Sequence, residues 1–266
     1  MDSLFVVSQE NSIKYRILEA AAPYLEGKTV KDLVIGISLI GCQLSDDSLG
    51  VSYMLRHGLP PECSAFGYAQ EAIGKPASEI ARWFVDGQDN LQRSIGNAVL
   101  TAASQALDIA DDTDTACFFG MDIKPTDTLG MIGLIKPVAK VLEDKVKEFY
   151  VFDAGASAFG NNVQLCSMDM QPEILPKCTK MIITGSSTIN GSIDELLAMC
   201  SNAEQIALVG SSTPMFPEAW KETNVLSLAG SWWKNEEKDN LFKAISLGGG
   251  IAQVQAYVQK KIAYVK

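Results

Sequence analysis

The chain has 266 residues, of which 47% are hydrophobic and 20% charged, and its formal net charge is −10. This length is sufficient for two modest domains or for one large domain with a sizeable core. Because nucleic acids and anionic membranes carry negative phosphate groups, the negative charge of the chain disfavours both as partners.

The first 110 residues predict an α+β arrangement of helices around a β-hairpin. Residues 9–26 carry apolar side chains at helical spacing and predict a helix. The segments "VKDLVIGISLIGCQL" and "LGVSYMLR" are rich in β-branched and apolar residues, and the turn signal "SDDS" between them predicts a hairpin. "ASEIARWFVDG" predicts a short helix that ends at Gly87, and residues 89–110 predict a long helix whose small side chains allow close packing.

Residues 111–127 are acidic at both ends and contain glycine and proline, so they predict a connection between one domain at 1–112 and a second at 113–266. Beyond it, helix-like runs alternate with the strand-like runs "TLGMIG", "EFYVFD", "KMIITG", "QIALVG" and "NVLSLAG". This alternation predicts an α/β fold with a parallel sheet of the doubly wound, Rossmann-like type. The final "AQVQAYVQKKIAYVK" fits either a helix or a helix followed by an edge strand.

Ligands of open α/β sheets bind beyond the carboxyl ends of the strands, so the residues that follow each strand are the candidate site. Gly133 follows the first strand, and Asp153 ends the second strand 20 residues later, where dinucleotide-binding proteins carry a ribose-binding acid. Ile135 and Val138 occupy the second and third glycine positions of the pattern G-x-G-x-x-G. A branched side chain at 135 blocks the approach of a pyrophosphate, so the pattern disfavours a standard dinucleotide. Asp153 stays a candidate general base or hydroxyl-binding group.

The loops after the third and fourth strands, "TGSSTINGS" and "GSSTPMFP", are dense in glycine, serine and threonine. Each loop precedes a predicted helix, so backbone N–H groups and short hydroxyls form a neutral cradle for a polar or anionic ligand. N-capping by Ser192 and Thr213 explains one hydroxyl in each loop and leaves the others unexplained. The cradle is predicted to use Gly185, Ser186, Ser187, Thr188, Asn190, Gly210, Ser212 and Thr213.

Residues outside these loops complete the predicted site. Trp232, after the fifth strand, is placed to wall the pocket, although core packing is the commoner fate of a tryptophan. Ser38 in the hairpin and Asn90 or Ser94 in the long helix are expected to close the pocket from the first domain. The three glycines of "LGGGI", at 247–251, fit either a tight turn or the close approach of a ligand to the backbone.

The remaining motifs argue against several kinds of site. The six cysteines form no Cys-x-x-Cys pair, and the single histidine, His57, lies in a turn-like stretch, so neither a zinc ribbon nor a histidine-rich metal site is predicted. The sequence contains no P-loop lysine motif and no nucleophile elbow. It shows neither a secretory signal nor an apolar run of transmembrane length, so we expect a cytoplasmic protein with reduced thiols.

The segment "IITGSSTINGSIDELLAMCSNAEQIALVGSSTPMFPEAW" resembles the Rossmann-like domain described as a "putative heavy-metal chelation" domain, a family of unknown function. Its "GSSTP" stands where the family carries "GPSTP", with Ser211 in place of proline. "RSIGNAVLTAA" resembles the motif S-x-G-x-A-x-x-N-A of the companion domain, which has an enolase N-terminal-like fold. Ser94, Gly96 and Ala98 match this motif, and Thr101 replaces its asparagine. The resemblance implies a site between the two domains and a role in handling metal-chelating small molecules, pterins or flavins.

Three functional hypotheses follow. In the first, the protein binds a small polar or anionic ligand in the interdomain cleft, with Asp153 as the candidate catalytic group. In the second, it is a methyltransferase-like enzyme in which Asp153 holds the ribose of S-adenosylmethionine, although the glycine-rich motif of such enzymes is missing. In the third, it is a non-catalytic metal-binding protein that uses Cys42, Cys63, Cys117 and Cys166. The sequence identifies no cofactor, and a homodimer, the commonest assembly, stays one option.

Overall fold

The computed structural model describes residues 11–57, 59, 66–113, 118–155 and 163–266. The strands are β1 (Val30–Ile35), β2 (Leu39–Leu44), β3 (Leu49–Tyr53), β4 (Ala110–Asp111), β5 (Thr128–Ile132), β6 (Glu148–Phe152), β7 (Gln164–Cys166), β8 (Lys180–Thr184), β9 (Gln205–Val209), β10 (Val225–Trp233) and β11 (Val258–Tyr264). The helices are α1 (Ile13–Leu25), α2 (Gly67–Glu71), α3 (Ala77–Ala81), α4 (Trp83–Asp86), α5 (Asn90–Ala103), α6 (Lys136–Leu142), α7 (Gln171–Ile174), α8 (Ser186–Ile189), α9 (Ile193–Met199), α10 (Lys238–Ser246) and α11 (Ile251–Val254). Nowhere in these residues does a helix reach the length and apolar character needed to cross a bilayer.

A three-stranded antiparallel sheet in the order β1-β2-β3 replaces the predicted two-stranded hairpin. The expectation of one long first strand was wrong, because the chain turns between β1 and β2, where the Gly36 N–H donates to the Leu39 carbonyl at 2.9 Å. The turn contacts α10 closely, since a Cβ atom on Gly36 would lie 2.2 Å from the Ile245 carbonyl oxygen. Only glycine fits this contact.

Helices cover both faces of the small sheet. On one face lies α5, where a Cβ atom on Gly50 of β3 would lie 2.0 Å from the Ala98 carbonyl oxygen. Gly96 of α5 packs equally closely on α4, with Phe84 N 2.3 Å from its would-be Cβ atom. Small residues in the long helix therefore allow close packing, as the sequence predicts. On the other face lies α10, whose Leu241 and Ile245 share a buried cluster with β2 and β3.

The large sheet has eight strands in the order β4-β11-β10-β9-β8-β5-β6-β7. The six strands from β10 to β7 are parallel, which confirms the predicted parallel sheet and the mixed α/β class. β11 is antiparallel to β10, so the C-terminal segment forms a helix followed by a strand. The predicted edge position was wrong, because β4 pairs with the other side of β11. β4 and β7 were not predicted, because strands of two and three residues are too short to show a period.

One cluster of buried side chains runs through both sheets. It joins α1, α3, α4 and α5 to the face of the large sheet that α8 and α9 cover. A separate cluster on the opposite face of the large sheet includes Ala139 and Leu142 of α6. The residues before and after the predicted domain boundary also contact each other, since β4 pairs with β11 and α10 packs on the small sheet. The boundary between residues 112 and 113 stays a prediction.

Candidate functional site

The winding of the large sheet reverses at β5. β6, the next strand along the chain, lies on one side of β5, and β8 lies on the other. The chain after β5 enters α6 on one face, and the chain after β8 enters α8 and α9 on the opposite face. The loops at this reversal therefore diverge, and the general rule for open α/β sheets predicts a ligand-binding crevice between them, at the carboxyl ends of the strands.

Gly133 and Asp153 meet at this crevice. Gly133 has a φ of +79°, and a Cβ atom on it would lie 2.9 Å from Thr184 Cγ2. The Asp153 carboxylate accepts one backbone N–H at each oxygen, from Leu134 at 2.7 Å and from Gly155 at 2.8 Å. Asp153 thus anchors the loop after β5, and its predicted catalytic role stays a prediction.

The hydroxyls after β8 make hydrogen bonds within their own loop. Ser187 Oγ donates to the Thr184 carbonyl at 2.7 Å, and Thr188 Oγ1 donates to the Gly185 carbonyl at 2.8 Å. Ser186 Oγ lies 3.1 Å from Thr184 Oγ1. Ser187 and Thr188 are buried, whereas Ser186 is half-exposed at the carboxyl end of β8. Most of these serine and threonine hydroxyls therefore stabilise the turn after β8.

The loop after β9 contacts the small sheet directly. Ser212 Oγ accepts the Tyr53 backbone N–H of β3 at 2.7 Å, and the Ser212 carbonyl accepts Asn97 Nδ2 of α5 at 3.1 Å. Asn97 Nδ2 also donates to Ser52 Oγ at 3.0 Å. We call Ser52, Tyr53, Asn97, Ser212 and Thr213 the polar seam, because they form a polar strip between the two sheets.

Two buried atoms of the polar seam lack hydrogen-bond partners among the described residues. They are Asn97 Oδ1 and Thr213 Oγ1, and the exposed fractions of these residues are 0% and 1%. Thr213 Oγ1 lies against Gly185, whose would-be Cβ atom is 2.6 Å from it. Buried polar atoms in native proteins are nearly always paired with protein, water or ligand atoms. These two atoms are therefore the strongest structural indication of a bound polar group.

The other predicted residues lie around this centre or away from it. Gly210, with a φ of +120°, is half-exposed at the crevice, whereas the exposed Asn190 accepts the Ser192 N–H at 3.0 Å. Asn90 Nδ2 donates to the His57 carbonyl at 2.6 Å, and the buried Ser94 Oγ donates to the Asn90 carbonyl at 2.7 Å.

Ser38 and Trp232 complete the predicted set. Ser38 lies in the turn between β1 and β2, and its carbonyl accepts the Met54 N–H at 3.0 Å. Trp232 is half-buried near the end of β10, with Lys261 Nζ 4.1 Å from its ring centroid. No hydrogen bond among the described residues satisfies its indole N–H.

The predicted N-caps were wrong. Ser192 precedes α9 but makes no side-chain cap hydrogen bond. The chain after Pro214 forms a short 3₁₀ helix at Pro217–Trp220 that begins after Phe216, so Thr213 caps no helix. Capping therefore does not explain the buried Thr213 hydroxyl.

The cysteines that the structure describes do not form a metal site. Burial raises the pKa of the Cys178 and Cys200 thiols to about 12, and it raises the pKa of Cys42 as well. High pKa values disfavour the thiolate that binds metals. Across the described residues, no group of three or more His, Cys, Asp or Glu side chains could hold a metal ion. Cys63 and Cys117 lie outside the described residues.

Two models of known protein families match the chain. A family model described as "Putative heavy-metal chelation" matches residues 116–264, and a second model of the same description matches residues 18–104. The first match alone spans more than half of the chain. The chain belongs to this heavy-metal chelation family. The resemblance drawn from the "GSSTP" loop is confirmed at this level, although the described side chains do not fit the metal that the family description implies.

One relative is similar to the chain in sequence, and two solved structures of the same family share its fold. An uncharacterized protein of Methanocaldococcus jannaschii is 25% identical over 146 residues, which are 54% of this chain and 56% of that protein, so the match spans about half of the relative's length. A family protein of unknown function from Pyrococcus horikoshii has a TM-score of 0.74 at 22% identity, over 95% of this chain and 100% of that one. Another, from Desulfitobacterium hafniense, has a TM-score of 0.76 at 18% identity, over 97% of this chain and 100% of that one.

Proposed function

We propose that the protein binds a small polar ligand where the polar seam meets the crevice of the large sheet. The observation that carries this proposal is the pair of unpaired buried atoms, Asn97 Oδ1 and Thr213 Oγ1. A ligand that donates to the amide oxygen and exchanges a hydrogen bond with the hydroxyl satisfies both atoms. Leaving both unpaired costs about 1–3 kcal/mol each, so the free energy gained on pairing contributes to ligand affinity.

The topology supports this location. The six parallel strands follow the order of a doubly wound sheet, with β7-β6-β5 on one side of the reversal and β8-β9-β10 on the other. We propose on this basis that residues 113–266 form a Rossmann-like domain and residues 1–112 an enolase N-terminal-like companion. The polar seam then lies between the two domains, where the family resemblance places a site.

The loop chemistry favours a ligand rich in hydroxyl or amino groups. Gly133, Ser186, Gly210 and Ser211 present neutral groups at the crevice, and Asp153 brings a negative charge. A phosphate beside that carboxylate meets like-charge repulsion, which disfavours a strongly anionic ligand. Pterins and nucleosides carry suitable donors and acceptors, in keeping with a role in pterin or metallocofactor metabolism.

The test is a thermal-shift screen of wild type and Thr213→Val against pterins, adenosine and S-adenosylmethionine. Valine keeps the shape of threonine and removes the hydroxyl. Without ligand, Thr213→Val should be as stable as wild type or more stable by about 1 kcal/mol, because an unsatisfied buried group is lost. With ligand, the rise in melting temperature that wild type shows should shrink or vanish.

Thr188→Val is the matched control. Its hydroxyl is equally buried but donates to the Gly185 carbonyl at 2.8 Å, so its removal should destabilise the protein by about 1 kcal/mol without ligand. If Thr213→Val is destabilised as much as Thr188→Val and keeps the full ligand shift, the proposed site is wrong.

A further inference from the structure

A second candidate site lies away from the crevice, where the turn between β1 and β2 faces the end of α10. An open groove of about 650 Å³ runs between them and the end of β3. Its wall includes Ile35, Ile37, Met54, Arg56, Leu247 and Gly248. We call it the Ile37–Leu247 groove. Its volume lies in the range of small-molecule pockets.

The apolar walls of the Ile37–Leu247 groove are unusually exposed. Ile37 is 66% exposed and Leu247 is 77% exposed, although both are large aliphatic side chains. Ile37 packs close to Gly248, which has a φ of +80° and whose would-be Cβ atom lies 3.1 Å from Ile37 Cδ1. Of the three glycines of "LGGGI", Gly248 lines the groove.

The charge of the groove differs from that of the whole chain. The net charge of the protein is −10, yet no acidic residue of the described chain lines this groove, and Arg56 does. Arg56 is exposed and forms no ion pair with any described carboxylate. A guanidinium without an ionic partner among the described residues, beside an apolar wall, complements a ligand that has an anionic head and an aliphatic body.

We propose that the Ile37–Leu247 groove binds an amphipathic anion, a small carboxylate with an aliphatic chain. The aliphatic chain packs between Ile37 and Leu247, and the carboxylate pairs with Arg56. This site shares no residues with the polar seam, so an experiment can contradict either proposal without affecting the other.

Octanoate and its neutral analogue octanol are the probes, titrated into the full chain by calorimetry. Wild type should bind octanoate saturably and more tightly than octanol. Ile37→Ser should weaken both probes about tenfold, because apolar contact is lost. Arg56→Gln should weaken octanoate about threefold to fivefold and leave octanol unchanged, because only the ion pair is lost.

Val141→Ser is the matched control, since Val141 is 49% exposed on α6, on a different part of the molecule. It should bind both probes as wild type does. All substituted residues are exposed or half-exposed, so their replacement leaves the fold intact.

Three results would overturn the proposal. They are the absence of saturable octanoate binding by wild type, equal binding by wild type and Ile37→Ser, and a wild-type dimer in sedimentation that Ile37→Ser converts to a monomer. The last result would make the groove a contact between copies of the chain.

Discussion

At the scale of single residues, two glycines with nearly the same backbone angle make different contacts. Gly133 has a φ of +79°, and its would-be Cβ atom clashes with Thr184. Gly191 has a φ of +80°, and nothing lies within 4 Å of its would-be Cβ atom. Gly133 is therefore constrained by both backbone and packing, and Gly191 by backbone alone.

This difference predicts the ranking of two alanine variants. Gly191→Ala should lower the free energy of unfolding by about 1 kcal/mol, the cost of a left-handed non-glycine residue. Gly133→Ala should lower it by about 2–4 kcal/mol, because overpacking against Thr184 adds to that cost. Urea denaturation measures both. Equal losses would show that the loop after β5 moves freely away from β8.

Lys14 is a residue whose charge is costly in the folded state. Its ammonium lies 4.9 Å from the ring centroid of the buried Phe84. Burial and the nearby Arg93 lower its pKa from 10.5 to about 8, against the opposing effect of Asp194 and Asp86. Below pH 8 both the folded and the unfolded chain hold the proton, so folding bears the cost of the buried charge. Between pH 8 and 10.5 the folded chain releases the proton first, and this cost declines.

Replacing Lys14 with methionine should therefore stabilise the protein, and more at pH 7 than at pH 10. We expect a gain of about 1 kcal/mol at pH 7 after the lost contact with Phe84 is subtracted. Denaturation at both pH values measures the gain, with Lys140→Met, at an exposed position of α6, as the reference for background pH effects. A gain that grows with pH would contradict this account.

The residues of the crevice differ in how far the sequence predicts them. Gly133 and Asp153 follow from their spacing after two strands, because the geometry of a parallel sheet fixes where strand ends lie. The role of Asn97 does not follow from the sequence, since its partner Ser212 is 115 residues away and no local pattern encodes that contact. Within its helix, Asn97 resembles any polar residue between two small ones.

At the scale of elements, the loop after β9 is attached to β3 by a side chain. Ser212 Oγ accepts the Tyr53 N–H at the edge of the small sheet. Ser212→Ala removes the acceptor of that part-buried N–H, so the free energy of unfolding should fall by about 1 kcal/mol. Ser211→Ala, at the half-exposed neighbouring position, should stay within about 0.5 kcal/mol of wild type. Similar losses in both variants would mean that the Ser212 contact adds no stability.

Long elements were predicted well and short ones poorly. α1 follows from its hydrophobic period, and the five longer parallel strands follow from short apolar runs, since most of their residues are buried on both faces. α5 was predicted at 89–110 and ends earlier, at Ala103. The turn that separates β1 from β2 was missed, because "IGIS" continues the apolar composition on both sides of Gly36. Gly36 at this turn packs against Ile245 of α10, far along the sequence, and composition does not report such contacts.

At the scale of the whole molecule, the two sheets share buried side chains. The largest cluster includes Ile17 and Phe84 from the N-terminal helices, Ile183 and Leu208 from the large sheet, and Trp220 from the 3₁₀ helix that follows β9. Separation of the two sheets would expose these buried side chains to water. It would also remove α10 from the small sheet and expose the face that α10 covers. The two parts should therefore unfold together.

Differential scanning calorimetry should show one transition, with a calorimetric enthalpy equal to the van 't Hoff enthalpy. Truncating Phe84 to alanine should lower the melting temperature of that whole transition and should not split it. Two resolved transitions in wild type would show that the domains at 1–112 and 113–266 are energetically independent.

The crystal structure of the protein soaked with the ligand that gives the largest thermal shift tests the central claim most directly. The account predicts that polar ligand atoms lie within about 3.2 Å of both Asn97 Oδ1 and Thr213 Oγ1. Ligand density away from the polar seam, with these two atoms bonded to protein or to water alone, would contradict it.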